Sequence, residues 1–131
     1  MNRRLLLALA WLALAPACSN PGGPDARQIY GSWDWLRSCG GIAGHCETPA
    51  TAGYTERFVF ETPGGYRRYR NDVVIERGTF AVSLTPDSSL FEVSFNSGAR
   101  VQTAEFPGAG LLTLHDGCCD RFDHEFMRTE R

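Results

Sequence analysis

The side chains able to do chemistry are few and grouped. Five cysteines stand at positions 18, 39, 46, 118 and 119, and three histidines at 45, 115 and 124, with Asp116 and Asp120 close to the second. A thiol can carry an acyl chain, pair with another thiol or bind a soft metal, and an imidazole can bind metal or move a proton. Four of the cysteines form two clusters, Cys39 with His45-Cys46 and Cys118-Cys119 with Asp120 and His124. Three arrangements are open to them. The first is a pair of disulfides joining a long loop to the last hairpin, Cys39 with Cys118 or Cys119 and Cys46 with the other. Each would close a loop of roughly 75 residues, about 4.5 kcal/mol in the chain-entropy model. The second is a Zn or Cu(I) site on the same thiols and imidazoles. Against it, the spacing lacks a Cys-x-x-Cys pair, and adjacent cysteines do not easily ligate one tetrahedral ion. The third is a local Cys39–Cys46 bridge with a strained vicinal Cys118–Cys119 bridge. The first is expected, with no metal and no cofactor.

No nucleophile, base and orienting group fall together in the sequence, so catalysis is not expected. His115, beside Asp116, could serve a His/Asp/Ser site, but a polar strand end next to a turn accounts for it. Arg67, Arg68 and Arg70, interleaved with Tyr66 and Tyr69, could hold an anionic headgroup or glycan. A solvated face paired with Glu56, Glu61 and Glu76 is the simpler reading. Gly40, Gly41 and Gly44 lead into no helix and so make no phosphate cradle. All basic residues are arginine, and 13 of them against 15 acids leave a net charge of −2, which speaks against nucleic acid as a partner.

The N-terminal stretch reads as an address. Asn2-Arg3-Arg4 precedes an apolar run from Leu5 to Ala15, too short to cross a bilayer core of about 30 Å as a helix. Ala15-Pro16-Ala17-Cys18-Ser19 then resembles the lipobox of bacterial lipoproteins. That resemblance implies cleavage before Cys18, diacylation of its thiol and, with Ser19 rather than Asp following, a place on the periplasmic face of the outer membrane. The other reading is an ordinary secretory cut after Ala17. Residues 1–17 are thus read as leader, 18–27 as lipidated N-terminus and Pro/Gly-rich tether reaching at most about 30 Å, and 28–131 as the folded body. In an exported protein thiols oxidise, which agrees with disulfides.

The elements that must position these groups are strands. With 43% hydrophobic and 21% charged residues the body has the composition of a globular domain. From Tyr30 onward no window shows helical spacing, whereas period-two alternation recurs between Gly, Pro, Asn and Asp breaks. The expected strands are 32–38, 55–61, 66–71, 73–84, 90–96, 100–106, 111–115 and 123–128. Trp33 and Trp35 share a face, as do Phe58 and Phe60, then Phe80, Val82 and Leu84, then Phe91, Val93 and Phe95; these are the expected inward residues. Eight strands buried on one side predict a single antiparallel up-and-down β-barrel, which also removes sheet edges. Alternating strand directions bring Cys39, Cys46, Cys118 and Cys119 to one rim.

Gly31-Ser32-Trp33-Asp34-Trp35, Gly40-Gly41-Ile42-Ala43-Gly44, Gly65-Tyr66-Arg67-Arg68-Tyr69, Gly78-Thr79-Phe80 and the ending Cys119-Asp120-Arg121-Phe122 with Phe126-Met127-Arg128 resemble the bacterial lipocalin-like lipoproteins. The resemblance implies a lipocalin-like barrel with Trp33 plugging its floor and Arg128 packed over it. It also implies binding of a small apolar or amphiphilic ligand, against Trp35, Phe58, Phe60, Phe80, Phe91 and Phe95. The rival reading is a protein-binding module, such as a periplasmic hydrolase inhibitor, acting through the stapled rim of residues 40–54 and 116–122.

Overall fold

The computed structural model describes residues 25–86, 90–118 and 120–130. The expected leader, the lipidation at Cys18, the turn residues 87–89 and Cys119 lie outside them. Nine strands form one antiparallel sheet: β1 (Gly31–Gly40), β2 (His45–Glu47), β3 (Glu56–Glu61), β4 (Gly65–Arg70), β5 (Val73–Leu84), β6 (Phe91–Phe95), β7 (Arg100–Glu105), β8 (Leu111–Asp116) and β9 (Phe122–Thr129). A 3-10 helix (Ala26–Ile29) precedes β1, so the expected tether gives way to regular structure at Ala26; a single α-helical turn, α1 (Pro49–Ala52), follows β2. Thr48 caps α1 by accepting from Thr51 N, while Gly53 ends it at φ 78°.

Each strand from β3 to β9 pairs with the next, and β9 pairs with β1, which closes the sheet. The result is an eight-stranded antiparallel barrel made by β1 and β3–β9. The ninth strand, β2, was not expected. It arises because β1 is longer than β3: its first half pairs with β3 (Gly31↔Phe60 to Asp34↔Arg57), and its second half, free on that side, takes β2 (Ser38↔Glu47 to Gly40↔His45). The long loop after β1 is thus a hairpin standing up from the rim.

Alternation places the core. Trp33, Phe58, Phe60, Tyr66, Phe80, Phe91, Val93, Phe95, Ala104, Leu112, Leu114 and Phe126 are buried, with Ile29 from the 3-10 helix closing the bottom. Leu84, expected inward, is 61% exposed, because the twelve-residue β5 overhangs the barrel at that end. The links between strands use residues that tolerate left-handed backbone: Asn71 and Asp72 (φ 48° and 62°) turn β4 into β5, and Asn96 and Ser97 (φ 49° and 58°) begin the turn into β7. Gly31 adopts φ 127°, and a Cβ there would stand 2.6 Å from Arg128 Nη1, so glycine is required where the last strand's arginine crosses the first. That arginine places its guanidinium 4.3 Å from the Trp33 ring centre and donates to the carbonyls of Tyr30 (2.9 Å) and Gln28, while Trp33 Nε1 donates to Ile29 O at 2.7 Å.

Cys39 and Cys46 are bonded to each other across β1 and β2, with Cα atoms 4.1 Å apart. This overturns the expected staples from Cys39 and Cys46 to the last hairpin. The cause is β2 itself: its register sets Cys46 directly opposite Cys39, so the local pairing needs no backbone movement. Cys118 is also disulfide-bonded. It lies in the loop entering β9, at the same rim, since Gly40 faces Phe122 and Gly41 N bonds Arg121 O.

Candidate functional site

Two β-bulges interrupt the upper half of the barrel. In β1 the register against β9 shifts between Trp35 and Arg37, so Leu36 is the extra residue. Without it Arg37 would face inward and Ser38 outward. With it, Arg37 turns out to bond Glu125 (2.8 and 2.9 Å), and Ser38 turns in beside His124. In β5 a second shift, opposite Arg68 and Tyr69, leaves Ile75 extra, while Glu76, in step with Gly78 and Phe80, points inward at Arg68.

The inward face above the aromatic core is therefore charged. Glu56, 8% exposed, is gripped by two guanidiniums: Arg68 Nε and Nη2 both reach Oε2 (2.9 and 2.6 Å), and Arg70 Nε and Nη2 both reach Oε1 (3.0 and 2.6 Å). Glu76 continues the ladder, taking Arg68 Nη1 at 3.5 Å, Arg100 Nη1 at 3.0 Å and the Tyr66 hydroxyl at 2.5 Å. Burial opposes charge on Glu76, yet the Tyr66 hydrogen bond and the Arg100 and Arg68 guanidiniums outweigh it and hold the carboxyl below its ordinary 4.5. Burial, and then the bond to Glu76, pushes the Tyr66 phenol above its ordinary 10.0. Asn96 Nδ2 donates to the same phenol at 3.1 Å; Gly78 makes room for it, since a Cβ there would fall 1.9 Å from Asn96 Oδ1.

On the other wall a second chain of bonds runs from Trp35 to Gln102. Trp35 Nε1 donates to Ser38 Oγ (2.9 Å), Ser38 Oγ meets His124 Nδ1 (2.6 Å), His124 Nε2 meets Asp116 (3.2 Å to each oxygen), and Gln102 Nε2 donates to Asp116 Oδ1 at 2.7 Å. The carboxylate accepts only, which fixes the amide orientation and leaves Gln102 Oε1 buried without a partner. Arg100 Nε and Nη2 are likewise buried without one, with the guanidinium carbon 4.3 Å from the Phe95 ring centre.

Between these two walls lies a cavity of about 200 Å³, with Arg68 and Arg100 on one side, Asp116 and His124 on the other, Gln102 between and Phe58, Leu114 and Phe126 as its floor. It is smaller than the roughly 300 to 1,000 Å³ of drug-sized ligand sites. A larger lateral cleft, about 380 Å³, opens where β1 parts from β3, lined by Asp34, Trp35, Thr55, Glu56, Arg57, Tyr69 and Asp72. Its charges are already matched: Arg57 bonds Asp34 (2.7 Å) and Asp72 (3.3 Å), and Glu56 holds its two arginines. The mouth cavity is the candidate site.

Of the aromatics expected to hold a ligand, Phe58 lines the mouth cavity and Trp35 the lateral cleft. Phe60, Phe80, Phe91 and Phe95 pack below: Phe60 meets Phe58 at 5.3 Å and Phe80 at 4.9 Å, Phe95 meets Tyr66 at 4.9 Å, and Phe91 meets Phe106 at 5.8 Å between ring centres. The arginine run splits across the sheet: Arg67 faces out to Glu61, while Arg68 and Arg70 face in, which corrects the reading of the whole run as a solvated surface. His115 also faces outward, beside Asp123 (2.6 Å) and Glu105 (3.3 Å), and it is His124 that joins a serine and an aspartate. Among the described residues no group of three His, Cys, Asp or Glu could hold a metal. The sequence reading missed Glu56, Gln102 and Asp116 as inward residues. The signal was present, since Glu56 alternates with Phe58 and Phe60, and Asp116 with Leu112 and Leu114.

No protein-family model matches the chain, and no curated protein matches it. Among solved structures it is similar to the crystal structure of Echinococcus granulosus fatty-acid-binding protein 1, at TM-score 0.47 and 12% identity, covering 79% of this chain and 99% of that one. A likeness this distant says nothing of what the chain binds; the barrel rests on its own strand pairing.

Proposed function

We propose that the chain is an exported, lipid-anchored barrel that binds a small amphiphilic ligand in its mouth. The observation that carries the binding reading is the division of the interior: aromatic rings fill the lower half, while the upper half keeps a cavity of about 200 Å³ with charged walls and an apolar floor. Charged and polar walls above an apolar floor suit a ligand with a polar head and an apolar body. The ligand is short, since Phe58, Leu114 and Phe126 close the way to the packed rings. Anchoring through Cys18 rests on the lipobox-like sequence alone and would keep the site near the membrane. Native mass spectrometry of protein isolated from its own envelope tests both parts. The expected spectrum shows a diacylated Cys18 N-terminus and an added small organic mass that leaves on denaturation. A non-acylated N-terminus refutes the anchor, and an added mass equal to a long-chain lipid refutes the short ligand.

One observation favours a second reading, a protein-binding rim. Ile42 is 100% exposed at the tip of the β1–β2 hairpin, directly above the Cys39–Cys46 bridge. An apolar side chain on a pre-stiffened loop loses little entropy on docking, which suits insertion into a partner's cleft. Loss of a co-purifying partner on Ile42→Asp, with small-molecule binding intact, would favour this reading.

A further inference from the structure

We propose that the floor of the barrel, and not its mouth, rests on the phospholipid surface, so that the mouth opens into water. This rests on the reading that Cys18 carries the lipid, and adds which face the lipid brings to the membrane.

Reach decides first. Cys18 and Asp25 are seven positions apart, so the stretch between them spans at most about 25 Å. From Asp25 the chain runs straight into the floor: the 3-10 helix lies against β5 and Ile29 closes the bottom. The Tyr30 hydroxyl donates to Pro63 O at 3.3 Å, and Arg128 holds the carbonyls of Gln28 and Tyr30. β1 then climbs ten residues, from Gly31 at the floor to Gly40 at the rim. At about 3.3 Å per residue and a tilt of about 40°, that is a rise of about 23 Å along the barrel axis. With the rim on the membrane, the stretch from Cys18 would have to run fully extended along the wall, at an entropic cost for each of its residues. With the floor on the membrane, it spans a short gap with slack to spare.

The two ends also differ in chemistry. Residues 62–64 and 106–110, which link strands at the floor, carry no charged side chain, and Thr62, Pro63, Pro107, Gly108 and Ala109 are exposed. Beside them stand exposed Leu84 and the facing pair Leu111 and Met127. The acids around them are engaged, Asp25 by Arg27, Glu61 by Arg67 and Glu105 by His115. The rim shows apolar side chains too, Ile42 and Val73, but sets them among Glu47, Asp72 and Asp120. Pressing those carboxylates into a headgroup layer strips their water and meets like charge on anionic lipids. The floor is the face that lipid accepts more readily. A ligand of the mouth cavity then arrives from the aqueous side rather than out of the acyl chains.

The test is NMR of the full acylated chain, isolated from its own envelope and placed in nanodiscs of phosphatidylethanolamine and phosphatidylglycerol doped with a gadolinium-chelating lipid. Mass spectrometry of the same sample establishes the acyl group first. The amides of Gly64, Gly108 and Leu111 are expected to lose at least half their intensity, and those of Ile42, Asp72 and Gly98 to keep theirs. Leu84→Glu with Met127→Glu is expected to restore much of the floor signal; broadening unchanged by that pair would overturn the contact at these side chains. Loss at Ile42, Asp72 and Gly98, equal loss at both ends, or loss at neither would overturn the inference and leave the anchor standing. A chain without acyl mass would remove the anchor reading and the inference together. The comparison of the two ends on the unaltered chain decides the matter even if the variant does not fold.

Discussion

The hydroxyl of Ser38 lies 2.6 Å from His124 Nδ1 while accepting from the Trp35 indole at 2.9 Å. An indole N–H only donates, so the serine oxygen accepts there and its hydrogen is free for Nδ1. The neutral ring then carries its proton on Nε2, pointed at Asp116. The expected result of nitrogen NMR is the Nε2–H tautomer at His124; an Nδ1–H ring would contradict the chain of bonds. Ser38→Ala strips a partner from both Trp35 and His124 and is expected to cost about 1 to 3 kcal/mol in urea unfolding.

Among the described residues, Glu56 is the carboxylate that two arginines grip with their side-on edges. Removing it leaves Arg68 with the distant Glu76 contact at 3.5 Å and Arg70 with none of its present ion pair. Loss of a partner from a fully buried pair costs roughly 3 to 5 kcal/mol. Both guanidiniums here keep access to water, so Glu56→Ala is expected to cost less, about 2 kcal/mol. Denaturant melts of Glu56→Ala against Arg70→Ala check this, and the glutamate variant should be the weaker, since it strands two charges rather than one.

Acid should weaken the ladder through Glu76. Its carboxyl is held below its ordinary 4.5, so the stabilisation is present above about that value and is lost as pH falls through the lower folded-state value. The Tm difference between the unaltered chain and Glu76→Gln is therefore expected to be constant from about pH 6 to pH 7 and to shrink below about pH 4.5. Tyr66 works in the opposite direction, its contribution present below about 10 and lost as pH rises through its raised folded-state value. A Tm difference that does not change with acid would contradict the role given to Glu76.

The disulfide of the β1–β2 hairpin is local, its cysteines seven positions apart. A loop this short gives about 2.5 kcal/mol in the chain-entropy model, well under what a staple across the barrel would supply. Cys39→Ser with Cys46→Ser is therefore expected to lower stability by no more than about that amount and to leave the barrel folded. Hydrogen exchange should locate the loosening in residues 39–47 and not in β9.

How much of this was readable in the sequence varies by element. Alternation of the Trp33-x-Trp35, Phe58-x-Phe60 and Phe91-x-Val93-x-Phe95 kind gave the barrel strands to within about two residues, because a period of two directly reports which face is buried. The bulges at Leu36 and Ile75 left no mark, since one extra residue changes the facing of everything beyond it without changing composition. That is why Ser38, which depends on the bulge at Leu36, could not be found, whereas Glu56, Glu76 and Asp116, which alternate with Phe58, Phe80 and Leu114, were legible in principle. The three-residue β2 was too short to show a period, and with it went the pairing of Cys39 and Cys46.

The central claim is that the charged mouth, and not the aromatic interior or the hairpin tip, takes the ligand. The direct measurement is an NMR titration with millimolar 4-methylpentanoate, which carries an anionic head and an apolar tail. The Arg100 Nε–H and Leu114 methyl signals are expected to shift together and saturate at one concentration, while the amides of Phe91 and Val93 and the methyls of Ile42 stay where they are. Saturable shifts centred on Phe91, Val93 or Ile42, or no saturable shift at Arg100 and Leu114, would contradict it.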